Sequence, residues 1–577
     1  MRIFSILIGL ILLLGSTSVF AQFVEESQPP RLQGEQLLRL PGLGAFDPAE
    51  ASDEPLGITL KGVRIISDPN DLVSSGGFAG IDINSVEVPE GIDLEAALKP
   101  YLGKSVSFKS LFAMRDDIIR AHIKAGRAFV AGTIPPQEIS SGVIQIIVTE
   151  SVLETKRVEG LVFTDEDYIL DNIGAEEGET VDTDQLIADL NWLNLNPYRN
   201  LIVIAEPGKE FGGTALTFRA SEAKPWSVYG GYNNYGTPAT NENRLFAGFH
   251  LANIPALDHQ LSYQLTMSPE ALARLEQPFT ASKQAAYLSH DGNYFIPLPW
   301  RHKLRTRAAY IRTRSNLTGG LVSATDTAIF TTEYAIPAKN IGSISPEFYG
   351  RYEFKNSQRR IYTGSTLASN AEIDVHQFLF GLRGNAKDQF GQTNFDVRFV
   401  HSPGGLSGFN NAASYAAFSG NTGADDSYNY AFANIQRSTP ITDAIRLLTE
   451  VTGQYSNETL PSTEVLSIGG VDTVRGYSAS EATGDKGVII RNELHFDVTP
   501  EDKNIFSAVD LYAFFDAGHV KDIAKNSTAD LASLGFGLNT AIGEHVSFNS
   551  SLGVALRNGP RTKTGDVRFN FNLNARF

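Results

Sequence analysis

The chain has 577 residues, a formal charge of −17 and no cysteine. That charge argues against a sequence-independent grip on nucleic acid, which needs a cationic surface to displace counterions. The missing cysteines exclude disulfide staples, thiolate nucleophiles and thiolate metal ligands. No run of 18 or more apolar residues occurs, so a transmembrane helix is not expected in the mature protein.

Residues 1–21 read as a signal peptide: Arg2, the apolar run Ile3 to Leu14, then Val19-Phe20-Ala21 with small side chains at the two positions a signal peptidase reads. Residues 22–56 read as an arm or linker, with Pro29-Pro30, Pro41-Gly42 and Pro48 around one short helical segment near Glu35 to Leu40.

Residues 57–151 read as a small α+β domain. A strand (Leu60 to Ile66) precedes a short helix near Asp93 to Lys99. A longer helix follows Ser107, with Leu111, Met114, Ile118 and Ala121 at helical spacing and Gly126 as its stop. Strands Ala128 to Ile134 and Val143 to Val148 are split by Pro135-Pro136. Residues 152–222 repeat the order: a strand around Lys156 to Gly160, a helix carrying Leu186, Leu190 and Leu193, a strand Leu201 to Ala205, the turn Glu206-Pro207-Gly208, and a strand Thr214 to Ala220. These are two tandem β-α-α-β-β units.

Residues 223–577 show almost no helical periodicity and many period-two segments. Leu245 to Leu251, Leu261 to Met267, Phe395 to Phe399 and Val546 to Leu556 alternate apolar with polar or small residues. Val567, Phe569, Phe571, Leu573, Ala575 and Phe577 alternate with Arg568, Asn570, Asn572, Asn574 and Arg576. A strand with one lipid face and one watery face survives in a membrane only within a closed barrel, where every backbone group is paired. At roughly 22 residues per strand and connection, the region holds about sixteen antiparallel strands.

With a periplasmic C-terminus, Arg557 to Asp566 and Lys521 to Asp530 become extracellular loops, and Gly543-Glu544-His545 and Thr499 to Asn504 periplasmic turns. The segment from about Glu464 to Lys486 then lies on the extracellular side, between the eleventh and twelfth strands. It contains Gly469-Gly470-Val471-Asp472-Thr473-Val474-Arg475-Gly476-Tyr477. In the strand Asp510 to His519, Leu511, Ala513, Phe515 and Ala517 share one face, so Phe514, Asp516 and Gly518 share the other. If the first set meets lipid, Asp516 points into the lumen, where Arg475 on a folded-back loop can pair with it bidentately.

Val474-Arg475-Gly476-Tyr477 and Phe514-x-Asp516-x-Gly518 resemble the VRGY/F and F-x-D-x-G motifs of the two-partner secretion transporters (TpsB, the ShlB/FhaC/HecB family). Pro136-Gln137, Ser141-Gly142, Asn196-Pro197, Pro207-Gly208 and Gly213-Thr214 fall where that family's two POTRA domains carry such residues. The run Gly126 to Val130 departs from it, lacking the tyrosine often found after that glycine. The resemblance implies a mainly β protein: two small α+β POTRA domains followed by a 16-stranded antiparallel transmembrane barrel in the outer membrane of a Gram-negative bacterium, with the POTRA domains in the periplasm. It makes the arm a candidate plug helix.

The implied function is export of a cognate large exoprotein, adhesin- or haemolysin-like, by two-partner (type Vb) secretion. The POTRA domains would catch its TpsA-type secretion domain; no nucleotide hydrolysis and no cofactor are implied. Val474, Arg475, Gly476, Tyr477, Phe514, Asp516 and Gly518 would hold the loop in the lumen, and Phe577 would act as a C-terminal signal to the barrel assembly machinery. Outer-membrane lipid surrounds such a barrel, and nucleic acid is not a partner.

The alternative from the same superfamily is a barrel assembly or insertion factor, disfavoured by only two small domains. A passive porin has no such domains. An enzyme is least supported, since Gly-x-Ser-x-Gly, His-Glu-x-x-His and Gly-x-x-x-x-Gly-Lys are all missing. The ten histidines are scattered, and Asp425-Asp426 sits in a Gly/Asn/Ser-rich loop where solvation is the simpler reading than calcium.

Overall fold

This computed structural model describes residues 51–577, apart from 74–76, 84–87, 89–90, 128, 211, 255–256, 275–285, 420–422 and 501–504. The expected signal peptide, nearly all of the expected arm and most of the Thr499 to Asn504 turn lie outside the described residues. The chain divides into two compact units, one holding the two small modules and the other the barrel strands.

The first module contains β1 (Gly62–Ile66), β2 (Gly80–Asp82), α1 (Leu94–Leu98), α2 (Phe108–Lys124), β3 (Val130–Thr133) and β4 (Val143–Glu150). Its sheet runs β2-β1-β4-β3, with β1 parallel to both neighbours and β3 antiparallel to β4. Helix α2 starts where it does because Ser107 and Ser110 cap each other's backbone N–H groups. Its Leu111, Met114 and Ile118 pack into one apolar cluster with Val63, Ile65, Ile144 and Ile146. Strand β2 carried no sequence signal, because three residues are too few to show a period.

The second module contains β5 (Val152–Glu159), α3 (Glu166–Asp171), α4 (Thr183–Leu193), β6 (Arg199–Pro207) and β7 (Gly213–Glu222), with sheet order β5-β7-β6. Strand β5 begins four residues before the expected Lys156 and is parallel to β7. The expected turn at Glu206-Pro207-Gly208 is corrected: β6 continues through Pro207, because its pairing with β7 extends to Pro207 opposite Thr214, and the reversal follows. Leu153, Ile169, Leu186, Leu190, Leu193, Val203, Leu216 and Phe218 form the core, and Phe129 from the first module joins it. The Thr183 N–H donates to the Gly126 carbonyl at 3.0 Å, tying α4 to the end of the first module's long helix.

At the end of β7, Glu222 Oε2 accepts the backbone N–H groups of Val162 and Phe163 at 2.7 Å each and of Thr164 at 3.3 Å. Burial pushes this carboxyl up, but the N–H of Phe163, the Thr164 hydroxyl and the N–H of Val162 outweigh it and hold it below the ordinary glutamate range.

Sixteen antiparallel strands close the barrel. In order they are Trp226–Asn233, Arg244–Ile254, His259–Met267, Tyr287–Pro297, Lys303–Asn316, Leu321–Pro337, Ile344–Thr363, Thr366–Asp388, Gly391–Pro403, Ser427–Pro440, Ile445–Tyr455, Lys486–Asp497, Phe506–Asp522, Ser527–Ile542, Val546–Ala555 and Val567–Arg576. The turn at Gly543-Glu544-His545 lies between the fourteenth and fifteenth strands as expected. The expected loop Lys521 to Asp530 is much shorter, because the thirteenth and fourteenth strands stay paired to Asp522 opposite Ser527. Period-two alternation with polar residues on both faces near a strand end hides that extension.

The sixteenth strand pairs with the first from Asn572 opposite Asn233 to Arg576 opposite Tyr229. Phe577 and Val228 exchange two backbone hydrogen bonds of 2.9 Å. Beyond Asn233 the seam is spliced by a side chain: the Asn234 amide donates to the Phe569 carbonyl and accepts from the Phe571 N–H, both at 2.8 Å.

One helix, α5 (Ala412–Ser419), was not expected. The eighth strand outruns its pairing with the ninth, which starts only at Phe378, and the segment carrying α5 covers that bare edge. The Asp374 N–H donates to the Phe409 carbonyl at 3.2 Å, and the Tyr415 hydroxyl donates to the Asp374 carbonyl at 2.9 Å.

Candidate functional site

The site is built on the thirteenth strand. Tyr512, Phe514, Asp516 and Gly518 face the lumen and are buried, whereas Leu511 and Phe515 are exposed on the outer wall. The expected parity therefore holds. The segment between the eleventh and twelfth strands folds onto this inner wall through a small hairpin, Leu466–Ile468 paired with Ala482–Gly484. Between the arms of that hairpin lie Gly469 to Tyr477.

Arg475 is 2 % exposed and Asp516 0 %. The Arg475 guanidinium donates from Nε to Asp516 Oδ2 and from Nη2 to Oδ1, both at 2.7 Å, and the Arg475 backbone N–H adds a third bond to Oδ2 at 3.1 Å. Its third nitrogen, Nη1, donates to Glu493 Oε1 on the twelfth strand at 2.6 Å. The guanidinium carbon stands 3.7 Å from the centroid of the Phe514 ring and 5.6 Å from that of Tyr512. A planar cation is thus sandwiched edge-on by carboxylates and face-on by an aromatic ring.

The other motif residues shape the seat. Val474 and Tyr477 are fully buried with Ile468, Ile489, Val520 and Leu531. The Tyr477 hydroxyl bonds the carbonyls of Ala532 and Arg557, both at 2.8 Å. Gly476 has φ +84°, and a Cβ there would come 3.1 Å from the Gly553 carbonyl carbon, so both backbone conformation and space favour glycine. A Cβ on Gly518 would meet Val474 Cγ2 at 2.9 Å, so the F-x-D-x-G glycine is the floor on which the V-R-G-Y valine rests.

Further residues, not singled out from sequence, complete the arrangement. Glu493 is also bonded by His495 Nε2 at 2.8 Å and Arg491 Nη2 at 3.3 Å. Glu481 Oε1 accepts the Thr562 N–H at 2.8 Å, joining the segment to the loop before the sixteenth strand. Asp485 accepts the N–H groups of Leu460 and Ile523 at 2.7 and 2.6 Å. At the other end, Glu464 bonds Lys355 Nζ at 2.9 Å, Gln377 Nε2 at 2.7 Å and the Tyr430 hydroxyl at 3.1 Å, reaching the seventh, eighth and tenth strands. Glu493 had a usable signal: Leu494 and Phe496 on the outer face put Arg491, Glu493 and His495 inward. Glu464, Glu481 and Asp485 had none, since their partners are distant in sequence.

Phe577 is exposed at the end of the sixteenth strand, with its ring stacked on His545 at a 5.0 Å centroid distance.

A closed sixteen-stranded barrel with one of its own loops bonded to the inner wall, preceded by two small β-α-α-β-β modules, defines the outer-membrane transporters with periplasmic POTRA domains. The model of the haemolysin secretion/activation protein ShlB/FhaC/HecB matches residues 212–540, and that of the ShlB-type POTRA domain matches residues 80–151. The chain belongs to the ShlB/FhaC/HecB family.

Among curated relatives, the heme/hemopexin transporter protein HuxB of Haemophilus influenzae (strain 86-028NP) is 23% identical over 510 residues, covering 83% of each chain. The hemolysin transporter protein ShlB of Serratia marcescens is 23% identical over 514 residues, covering 83% of this chain and 78% of that one. Among solved structures, CdiB from Escherichia coli superposes with a TM-score of 0.67 at 18% identity over 93% of each chain. CdiB from Acinetobacter baumannii does so with 0.61 at 15% identity, over 94% of this chain and 95% of that one. The chain is an outer-membrane translocator of the two-partner secretion type, with its POTRA domains in the periplasm.

Proposed function

We propose that the POTRA domains capture the extended N-terminal secretion domain of one cognate exoprotein, and that the Arg475–Asp516 pair sets the working position of the lumen loop during its export. A small sheet with an open edge can take an unfolded chain as an added strand, main-chain bonds giving affinity and side-chain pockets selectivity. The edges β2 and β3 of the first sheet and β5 and β6 of the second are of this kind.

The observation that carries the lock is the full enclosure of Arg475 by Asp516, Glu493 and Phe514. A buried ion pair adds little net stability over an apolar filling, but it admits one geometry. Its role is therefore to specify where the loop sits. Phe577, at the seam end of the sixteenth strand, serves as the signal by which the assembly machinery takes up the barrel, and lipid then surrounds its outer face.

Arg475→Ala, in cells carrying normal surface levels of the heat-resistant barrel, lowers secretion of the partner exoprotein at least tenfold. Undiminished secretion from that variant overturns the lock.

A further inference from the structure

The outer wall of strands five to seven carries charge where a lipid-facing surface has little reason to. On these strands the odd positions line the lumen: Arg307 pairs with Asp291 there, and Glu333 with Arg351 and Arg383. The even positions face outward, as the exposed rings of Phe330, Tyr334 and Phe348 show. By the same parity Arg312, Arg314, Asp326 and Arg360 stand on the outside.

Their height follows from strand geometry. The periplasmic end of this wall is marked by Trp300, 59 % exposed, whose indole N–H donates to the Tyr334 hydroxyl at 2.9 Å. An aromatic pair of this kind belongs at a headgroup boundary. From Tyr334 to Ala324 is ten residues of one continuous strand. At about 3.4 Å per residue and a tilt of about 40°, that climbs roughly 26 Å, close to the height of the apolar band of an outer-membrane barrel. Ala324 therefore marks the opposite boundary, that of the outer leaflet.

At that level the register aligns Arg314, Ala324 and Arg360 across three neighbouring strands. Two arginines flank an alanine, with Cα atoms about 10 Å apart across two strand spacings. In the row beneath, Arg312 Nε donates to Asp326 Oδ1 at 2.5 Å, the Tyr310 hydroxyl donates to the same oxygen at 2.7 Å, and Arg360 Nη2 donates to Asp326 Oδ2. Asp326 is thus consumed in orienting two guanidinium groups. Glu372, at the far end of that row, accepts from Asn356 Nδ2 at 2.9 Å. Arg360 Nε is buried without a hydrogen-bond partner. Two arginines oriented by one carboxylate, with a third aligned beside them across a small side chain, form a receptor for a phosphate group.

We propose that the row Arg314–Ala324–Arg360, with Arg312 beneath it, binds the phosphate of a phosphorylated glycolipid in the outer leaflet. The proposal rests on the membrane placement of the barrel and is independent of how the exoprotein is recognised. The acyl chains would lie along Phe330 and Phe354, on the same outer face.

The test uses the full-length protein in detergent and native mass spectrometry, with an acylated glucosamine disaccharide bisphosphate as probe and its dephosphorylated counterpart as control. The wild type retains the bisphosphate at least tenfold better than the control, and millimolar inorganic phosphate does not displace it. Arg314→Ala/Arg360→Ala loses at least tenfold in retention, and Arg314→Lys/Arg360→Lys keeps part of it, while secretion of the exoprotein is the separate readout of the lumen lock. Equal retention of the dephosphorylated lipid, displacement by inorganic phosphate, or undiminished retention by the alanine pair overturns the proposal. Should the alanine pair fail to assemble, the comparison of the two lipids on the wild type decides alone.

Discussion

Two carboxylates organise two loops in this chain, and they do so by different means. Glu222 in the second small module gathers three consecutive backbone N–H groups, whereas Asp516 in the barrel gathers a guanidinium that Glu493 and Phe514 also hold. The first clamp is half open to water and holds a loop of its own domain in shape. The second is sealed and holds a loop against a wall more than forty residues away. Exposure decides what each can do: water competes with the donors of Glu222, so its hold is local and modest. Water is excluded from Arg475, so separating the pair strands a charge.

The largest effect expected from breaking this contrast is at the sealed clamp. Arg475→Ala leaves Asp516 buried without its guanidinium and costs the seated loop about 3–5 kcal/mol, whereas Asp516→Ala, which leaves Arg475 its bond to Glu493, costs less. Hydrogen exchange of the amides in the hairpin around Leu466–Ile468 should then accelerate in either variant, and the double variant should lose less than the sum. Equal exchange in wild type and single variants would show that Glu464, Glu481 and Asp485 seat the loop without the arginine.

Next comes the floor of the seat. Gly518→Leu drives a side chain into Val474, an overpacking that costs about 1–3 kcal/mol, and the same exchange readout should show a smaller acceleration than for Arg475→Ala. The smallest effect is at the open clamp: Glu222→Gln should cost about 1 kcal/mol after discounting for solvent, visible as faster exchange at Val162, Phe163 and Thr164 only.

Acid sharpens the comparison. The Glu222 carboxyl lies below its unfolded range when folded, so its stabilisation is complete above the ordinary glutamate range and is lost as pH falls through the depressed value. Protection of Val162 to Thr164 should therefore persist at neutral pH and collapse only below the ordinary glutamate range. Loss of protection near neutrality would contradict the clamp.

Much of this was readable beforehand because alternation is a strong signal in a barrel wall. Leu511 and Phe515 on one side dictated that Asp516 lie on the other, and the chain length dictated sixteen strands. Parity made the Arg475–Asp516 partnership possible, but motif resemblance was needed to favour it, since nothing local to Val474–Tyr477 says where the loop folds. Glu464 and Glu481 were illegible for the same reason at greater range: their partners Lys355 and Thr562 lie 109 and 81 residues away. Helix α5 was missed because Ala412–Ser419 is apolar nearly all round and shows no stripe.

The splice at the barrel seam bears on how the molecule is made. All other neighbouring strands in the wall are joined in succession by the chain, but Asn234 and Phe571 meet across 337 residues. Bringing such distant segments together costs about 3 kcal/mol more in chain entropy than closing a ten-residue loop. Closure is therefore the slow, final event of biogenesis, and until it occurs the sheet has two bare edges open to pairing with another chain. The Asn234 amide, which bonds the last strand where the first has ended, extends that late-formed joint by one side chain. Its replacement should slow the appearance of heat-resistant barrels in pulse-labelled cells more than it lowers their final number.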